Sequence, residues 1–215
     1  MTDKIIETQY DITKKSRLLK FYEKNKILLF SGLLILIIFF GSFSYYLTIK
    51  KNKKIYLSEN YIKAKIYLDD KKESEATNLL KSIILGNDPT YSPLSFFIII
   101  NQKLITDNKE ILVLYEHLLK NNNFDEEIKN LLIYKKAIFK SNFVNEFELL
   151  SDLKPLLNNN SLWNPHALLL MGDYLVSKNQ KIKAKEFYLE VLSIKNLEKN
   201  LYNHASSQLT LITND

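Results

Sequence analysis

Apolar side chains fall along this chain in two distinct patterns. Residues 27–49, ILLFSGLLILIIFFGSFSYYLTI, form an unbroken run of 23 residues without a charged side chain. From residue 55 onward apolar positions recur at intervals of three and four, and no stretch alternates convincingly at two, which is the period of helices rather than strands. As a helix rising about 1.5 Å per residue, the first run reaches roughly 34 Å, slightly more than the ~30 Å hydrocarbon layer of a bilayer. It predicts a single membrane-spanning helix. Lys20, Lys24 and Lys26 precede it and Lys50, Lys51, Lys53 and Lys54 follow it, with Tyr45 and Tyr46 where amphipathic rings favour lipid headgroups. A buried core helix is one alternative. A cleaved signal peptide is another, but it would have a shorter run and a small-residue cleavage site, whereas this run ends in bulky Tyr45, Tyr46 and Leu47. An uncleaved anchor is therefore the expectation. Gly32 and Gly41 are too far apart for a GxxxG dimer face, and one span without a buried charge offers no ion path.

After the span the chain reads as eight or nine short helices. Segments 56–68 and 74–85 are two of them, with Gly86 expected as a C-terminal cap. Ser92-Pro93 and Asn164-Pro165 each resemble an N-cap followed by proline at the first helical position. Residues 121–123 and 158–160, all asparagine, are expected loops. The first helices of successive pairs begin near Tyr56, Ser92, Asp125 and Pro165, steps of 33–40 residues that mark stacked helical hairpins. Ala64, Ala76 and Leu80 are spaced 12 and 4 apart, as are Gly172, Ala184 and Tyr188. Those spacings match the tetratricopeptide repeat, whose small residues let paired helices approach closely. The middle units, around Leu112 and Phe147, lack the small residues, and an irregular helical array is the alternative there. The expected fold is all-α: an N-terminal segment 1–26, the transmembrane helix 27–49, and a tetratricopeptide-like α-solenoid of about four hairpins over 50–215, with a concave face free for a partner.

Charge narrows the function classes. The formal net charge is +6, but residues 1–54 hold 11 of the 30 basic residues against four acidic ones. Residues 55–215 hold 19 lysines, no arginine and 20 acidic residues, so the basicity belongs to the membrane flanks. A near-neutral domain without arginine is a poor phosphate binder, and no nucleic-acid partner is expected. The absence of cysteine removes disulfides, thiolate chemistry and most zinc sites. Only Gly86 and Gly172 lie after the span, too few for a phosphate-binding or dinucleotide loop. His117, His166 and His204 stand alone, without the spacing of a metal site. The adjacent pairs Asp69-Asp70 and Glu126-Glu127 point about 100° apart on a helix and read as solvated or first-turn charges. No catalytic residue, metal, cofactor or small-molecule substrate is expected, and the chain reads as a protein-binding module, not an enzyme.

Trp163, the only tryptophan, is expected to clamp the last hairpin against residues 153–157, an exposed anchor for a partner being the alternative. The run from Phe96 to Ile100 reads as a helix buried on several sides. Counting from Gly172 and Ala64 in the tetratricopeptide register places His166, Leu169 and Asp173, and Tyr61, Lys65 and Leu68, on the groove-facing side. Such a mixture of apolar and charged groups suits extended or amphipathic segments of another protein. Ala64, Ala76, Gly172, Ala184 and Trp163 are the expected packing positions.

Several segments together resemble a known family. A short lead containing RLLKFYEKN (residues 17–25), an early anchor ending in Tyr45-Tyr46, a basic stop and a degenerate repeat domain resemble the YfgM-like ancillary subunit of the bacterial Sec translocon. The segment LKPLLNNNSLWNPHALLLMGDYLVSKNQKIKAKEFY (residues 153–188) is similar to that family's Pro-Leu, Ser-x-Trp-x-Pro-x-Ala, Gly and Ala pattern. Pro155, Leu156, Ser161, Trp163, Pro165, Ala167, Gly172 and Ala184 carry it here, while Asn179 stands where the family commonly has glycine. The resemblance implies a single-pass protein of the bacterial inner membrane, with a cytoplasmic amino terminus and a periplasmic repeat domain. Its implied partners are Sec translocon subunits, periplasmic chaperones and unfolded secreted chains. A structural scaffold for an envelope or cytochrome-maturation complex is the alternative role.

Overall fold

A computed structural model describes residues 17–157 and 161–214; the lead over residues 1–16 and the expected loop at 158–160 lie outside the described residues. The described residues form nine helices and no strand: α1 (Arg17–Asp69), α2 (Glu73–Leu85), α3 (Tyr91–Asn101), α4 (Asn108–Asn121), α5 (Glu126–Lys140), α6 (Glu146–Leu153), α7 (Asn164–Ser177), α8 (Lys181–Leu192) and α9 (Lys199–Asn214). The chain divides into two compact units, Met1–Tyr56 and Leu57–Asp215.

In the first unit α1 is long and apolar enough to cross a membrane. Its Ile, Leu and Phe side chains between Ile27 and Ile49 are all exposed, a contiguous apolar surface of the kind that marks a membrane or partner contact. The helix departs from helical geometry at Asn25 (φ −116°, ψ 15°), whose side-chain amide donates to the Phe21 carbonyl at 3.1 Å. The helix expected to start at Tyr56 is not separate: those residues belong to α1, which ends at Asp69.

The second unit is built from sequential packing. α7 packs most extensively on α8, α2 on α3, and α8 on α9; the remaining contacts join neighbours or next-nearest neighbours such as α2 with α4, α5 with α7 and α7 with α9. α3, α5, α7 and α9 begin at Tyr91, Glu126, Asn164 and Lys199, intervals of 35, 38 and 35 residues. Two apolar clusters result. One joins Ala64, Leu80, Ile84, Phe96, Ile99, Tyr115 and Leu132, the other Ala137, Leu149, Leu153, Leu168, Met171, Leu175 and Tyr188. α5 serves both, giving Leu132 to the first and Ala137 to the second. Within the run 96–100, Phe96 and Ile99 are buried and the other three half-buried.

Caps explain where several helices start. Asp107 accepts a hydrogen bond from the Lys109 N–H, and Asn145 one from the Glu148 N–H, both at 2.9 Å. Ser92 is not the N-cap of α3: the Asp88 carboxylate accepts from the Thr90 and Tyr91 N–H groups, and the buried Ser92 hydroxyl accepts from the Asp88 N–H and donates to the Ile83 carbonyl. α7 likewise starts one residue early, with Trp163 at the N-cap position and Asn164 already helical. Gly86 ends α2 but in right-handed geometry; the left-handed residue is Asn87 (φ 55°), and a Cβ on Gly86 would lie 2.9 Å from Leu57.

α1, α3 and α7 end alike. Lys71, Lys103 and Asn179 hold φ of 59°, 54° and 58°, and around each the next residue's N–H closes a wider ring back onto the helix: Lys72 to the Tyr67 carbonyl, Leu104 to Ile99 and Gln180 to Leu175. Left-handed backbone strains a residue bearing a Cβ, and lysine has no side chain suited to relieve it. Lys71→Gly and Lys103→Gly are each expected to stabilise the protein by about 0.5–1 kcal/mol, after the entropic cost of glycine is deducted. A denaturant midpoint that stays put or falls in both variants contradicts this account of the turns.

Candidate protein-binding surface

The residues expected to face a groove fall in two places. On α1, Lys65 is exposed, while Tyr61 and Leu68 are half-buried, the Tyr61 ring lying 5.8 Å from that of Tyr91 on α3. On α7, His166 and Asp173 are half-buried, but Leu169 is only 6% exposed and belongs to the core. Leu169 is thus corrected from a surface to a packing position. The physical reason is that α7 buries a broad face in the cluster it shares with α6, α8 and α9, and Leu169 lies on that face.

α7 brings His166 and Asp173 into a shared surface with α5 and α9. The rings of Trp163, His166 and Tyr134 lie 5.2–5.7 Å from one another, and the Trp163 Nε1–H donates to the Glu127 carboxylate at 3.0 Å. Trp163 therefore joins α7 to α5 through Tyr134 and Glu127, and it packs against the same apolar cluster as Leu153 and Leu156 of the segment expected to meet it. Asp173 accepts from the Tyr188 hydroxyl at 2.7 Å and lies 3.0 and 3.1 Å from His204 Nε2, so one carboxylate ties α7 to α8 and α9. Burial raises the Tyr188 phenol well above its ordinary range, and the bond to Asp173 and its negative charge add to that effect. Burial also pushes Tyr134 up, with the Asp173 charge reinforcing it. Both phenols remain hydrogen-bond donors at neutral pH.

Sequence reasoning missed Tyr134, and it gave Glu127 and His204 no part in this surface. Each meets its partner across some thirty residues, and contacts at that range leave no local spacing to read. The small residues lie at close approaches: Ala64, Ala76 and Ala184 are fully buried, and a Cβ on Gly172 would lie 2.6 Å from the Tyr188 ring. The surface offers rings in tilted and edge-on contact, two carboxylates and imidazoles already engaged by neighbours. Such a set can recognise a peptide by shape and hydrogen bonding, but it presents no nucleophile paired with a base. No protein-family model matches this chain, and no curated protein or solved structure does so either.

Proposed function

We propose that this chain is a single-pass membrane protein that works by binding other proteins. In this reading the Leu57–Asp215 unit is a tetratricopeptide-like stack of four hairpins closed by α9, and the protein is an ancillary Sec translocon subunit linking secreted polypeptides to periplasmic chaperones. The observation that carries the binding role is the repeated hairpin: three first helices end in the same left-handed turn, and the first helices recur every 35–38 residues. The exposed apolar run of α1 supports the anchor. The translocon and chaperone roles rest on the family resemblance of residues 17–25 and 153–188.

The test places a photo-crosslinker at Lys65 and His166 in the full chain in cells, with Phe147 on α6, which is 80% exposed, as a position outside the candidate surface. Translocon subunits and nascent secreted chains are expected from Lys65 and His166 and not from Phe147. One fixed envelope protein from all three positions sinks the adaptor and favours a scaffold. A reporter fused after Asp215 is expected on the periplasmic side, and a cytoplasmic signal refutes the family assignment.

A further inference from the structure

α1 carries four lysines in five residues immediately after its apolar run: Lys50, Lys51, Lys53 and Lys54, all exposed. No acidic residue occurs between Glu23 and Glu59, and among the described residues none of the four lysines pairs with a carboxylate. At about 100° per residue the four fall within an arc of roughly 160°, leaving the rest of the circumference to Ile49, Asn52, Ile55 and Tyr56. They form a one-sided cationic face, not a ring. Lys50 with Lys53, Lys50 with Lys54, and Lys51 with Lys54 are neighbours at helical spacing, where like charges repel. An anion set between two ammonium groups relieves that repulsion.

Resting on the membrane-anchor reading above, we propose that this face holds the phosphates of anionic phospholipids at the bilayer surface, each between two lysines. The helix fixes the depth. Lys50 directly follows Ile49, the last residue of the apolar run, so the ammonium groups sit at headgroup level when the run fills the hydrocarbon layer. The lysines before the run are less suited: Lys20 and Lys24 flank Glu23, and the helix is broken at Asn25. The occupant is a lipid rather than free phosphate because the site is continuous with the apolar surface that acyl chains would cover.

The full chain is reconstituted into vesicles of equimolar phosphatidylglycerol and phosphatidylcholine and re-extracted in mild detergent, and the lipid retained by the protein is quantified. Retained phosphatidylglycerol is expected to exceed phosphatidylcholine by about fivefold. The ratio should fall to parity when Lys50, Lys51, Lys53 and Lys54 are all changed to Gln, and persist when Lys20, Lys24 and Lys26 are. An unchanged ratio in the fourfold variant overturns the proposal, as does parity in the unmodified protein. Loss of the bound lipid to inorganic phosphate at constant ionic strength assigns the face to free anions and overturns it too. Failure of the unmodified chain to enter the vesicles refutes the anchor instead, an outcome separable from all of these.

Discussion

Phe96→Ala is expected to lower the unfolding free energy by about 3–5 kcal/mol, the range for truncating a fully buried phenylalanine. The ring is 0% exposed, at the centre of the cluster that joins the end of α1 to α2, α3, α4 and α5. It meets the Tyr115 ring edge-to-face at a centroid distance of 4.4 Å, a contact worth ~1 kcal/mol beyond area burial. Tyr115 in turn lies 6.2 Å from Phe139 of α5, so the loss is felt in the helix shared by both clusters. Chemical denaturation of the full chain in detergent, followed by circular dichroism and by Trp163 fluorescence, checks this. Trp163 packs against the other cluster. If α5 couples the clusters into one folding unit, both signals shift to lower denaturant together. A shift in circular dichroism with Trp163 unmoved shows that the clusters melt independently, and a loss below about 1 kcal/mol contradicts the packing at Phe96.

The starts of α3, α5 and α7 were legible within a residue or two because proline, aspartate and asparagine mark them chemically. What those residues do was less legible. Ser92 looks like a cap by type and position, yet Asp88 reaches the free N–H groups first, and the hydroxyl is left to fasten the preceding loop. Gly86 does stand at the C-cap of α2, but the left-handed turn falls on Asn87, and the glycine's lack of a side chain serves the approach of Leu57. The turns at Lys71 and Lys103 could not be read at all: lysine carries no left-handed signature, and only tertiary closure forces the geometry.

The candidate surface was legible on one helix at a time. Register counting found His166 and Asp173 but could not see what α5 and α9 bring beside them. It placed Leu169 outside, although that side chain is buried in the core cluster. α7 in fact buries Asn164, Ala167, Leu168, Leu169, Met171, Gly172, Tyr174 and Leu175, a wider apolar face than an end hairpin needs. The same enclosure makes its single glycine critical.

Gly172→Ala is expected to destabilise the protein by about 2–3 kcal/mol, although alanine in a helix interior ordinarily gains ~1 kcal/mol over glycine. The clash decides the sign. The new methyl would meet Cε1, Cζ and Cδ1 of Tyr188 at 2.6, 2.9 and 3.0 Å, along one edge of a ring that is 0% exposed. That ring has little freedom to yield, because its hydroxyl is held by Asp173, which His204 on α9 also contacts. Yielding would therefore separate α8 from α7 and strain the bonds that seat α9. The penalty belongs to the pair and not to the glycine. In a Tyr188→Leu background, itself less stable, adding Gly172→Ala should cost nothing or restore part of the alanine gain, giving a coupling of about 2–4 kcal/mol in a double-mutant cycle. Equal penalties in both backgrounds would mean that Gly172 serves the backbone of α7 and not its approach to Tyr188.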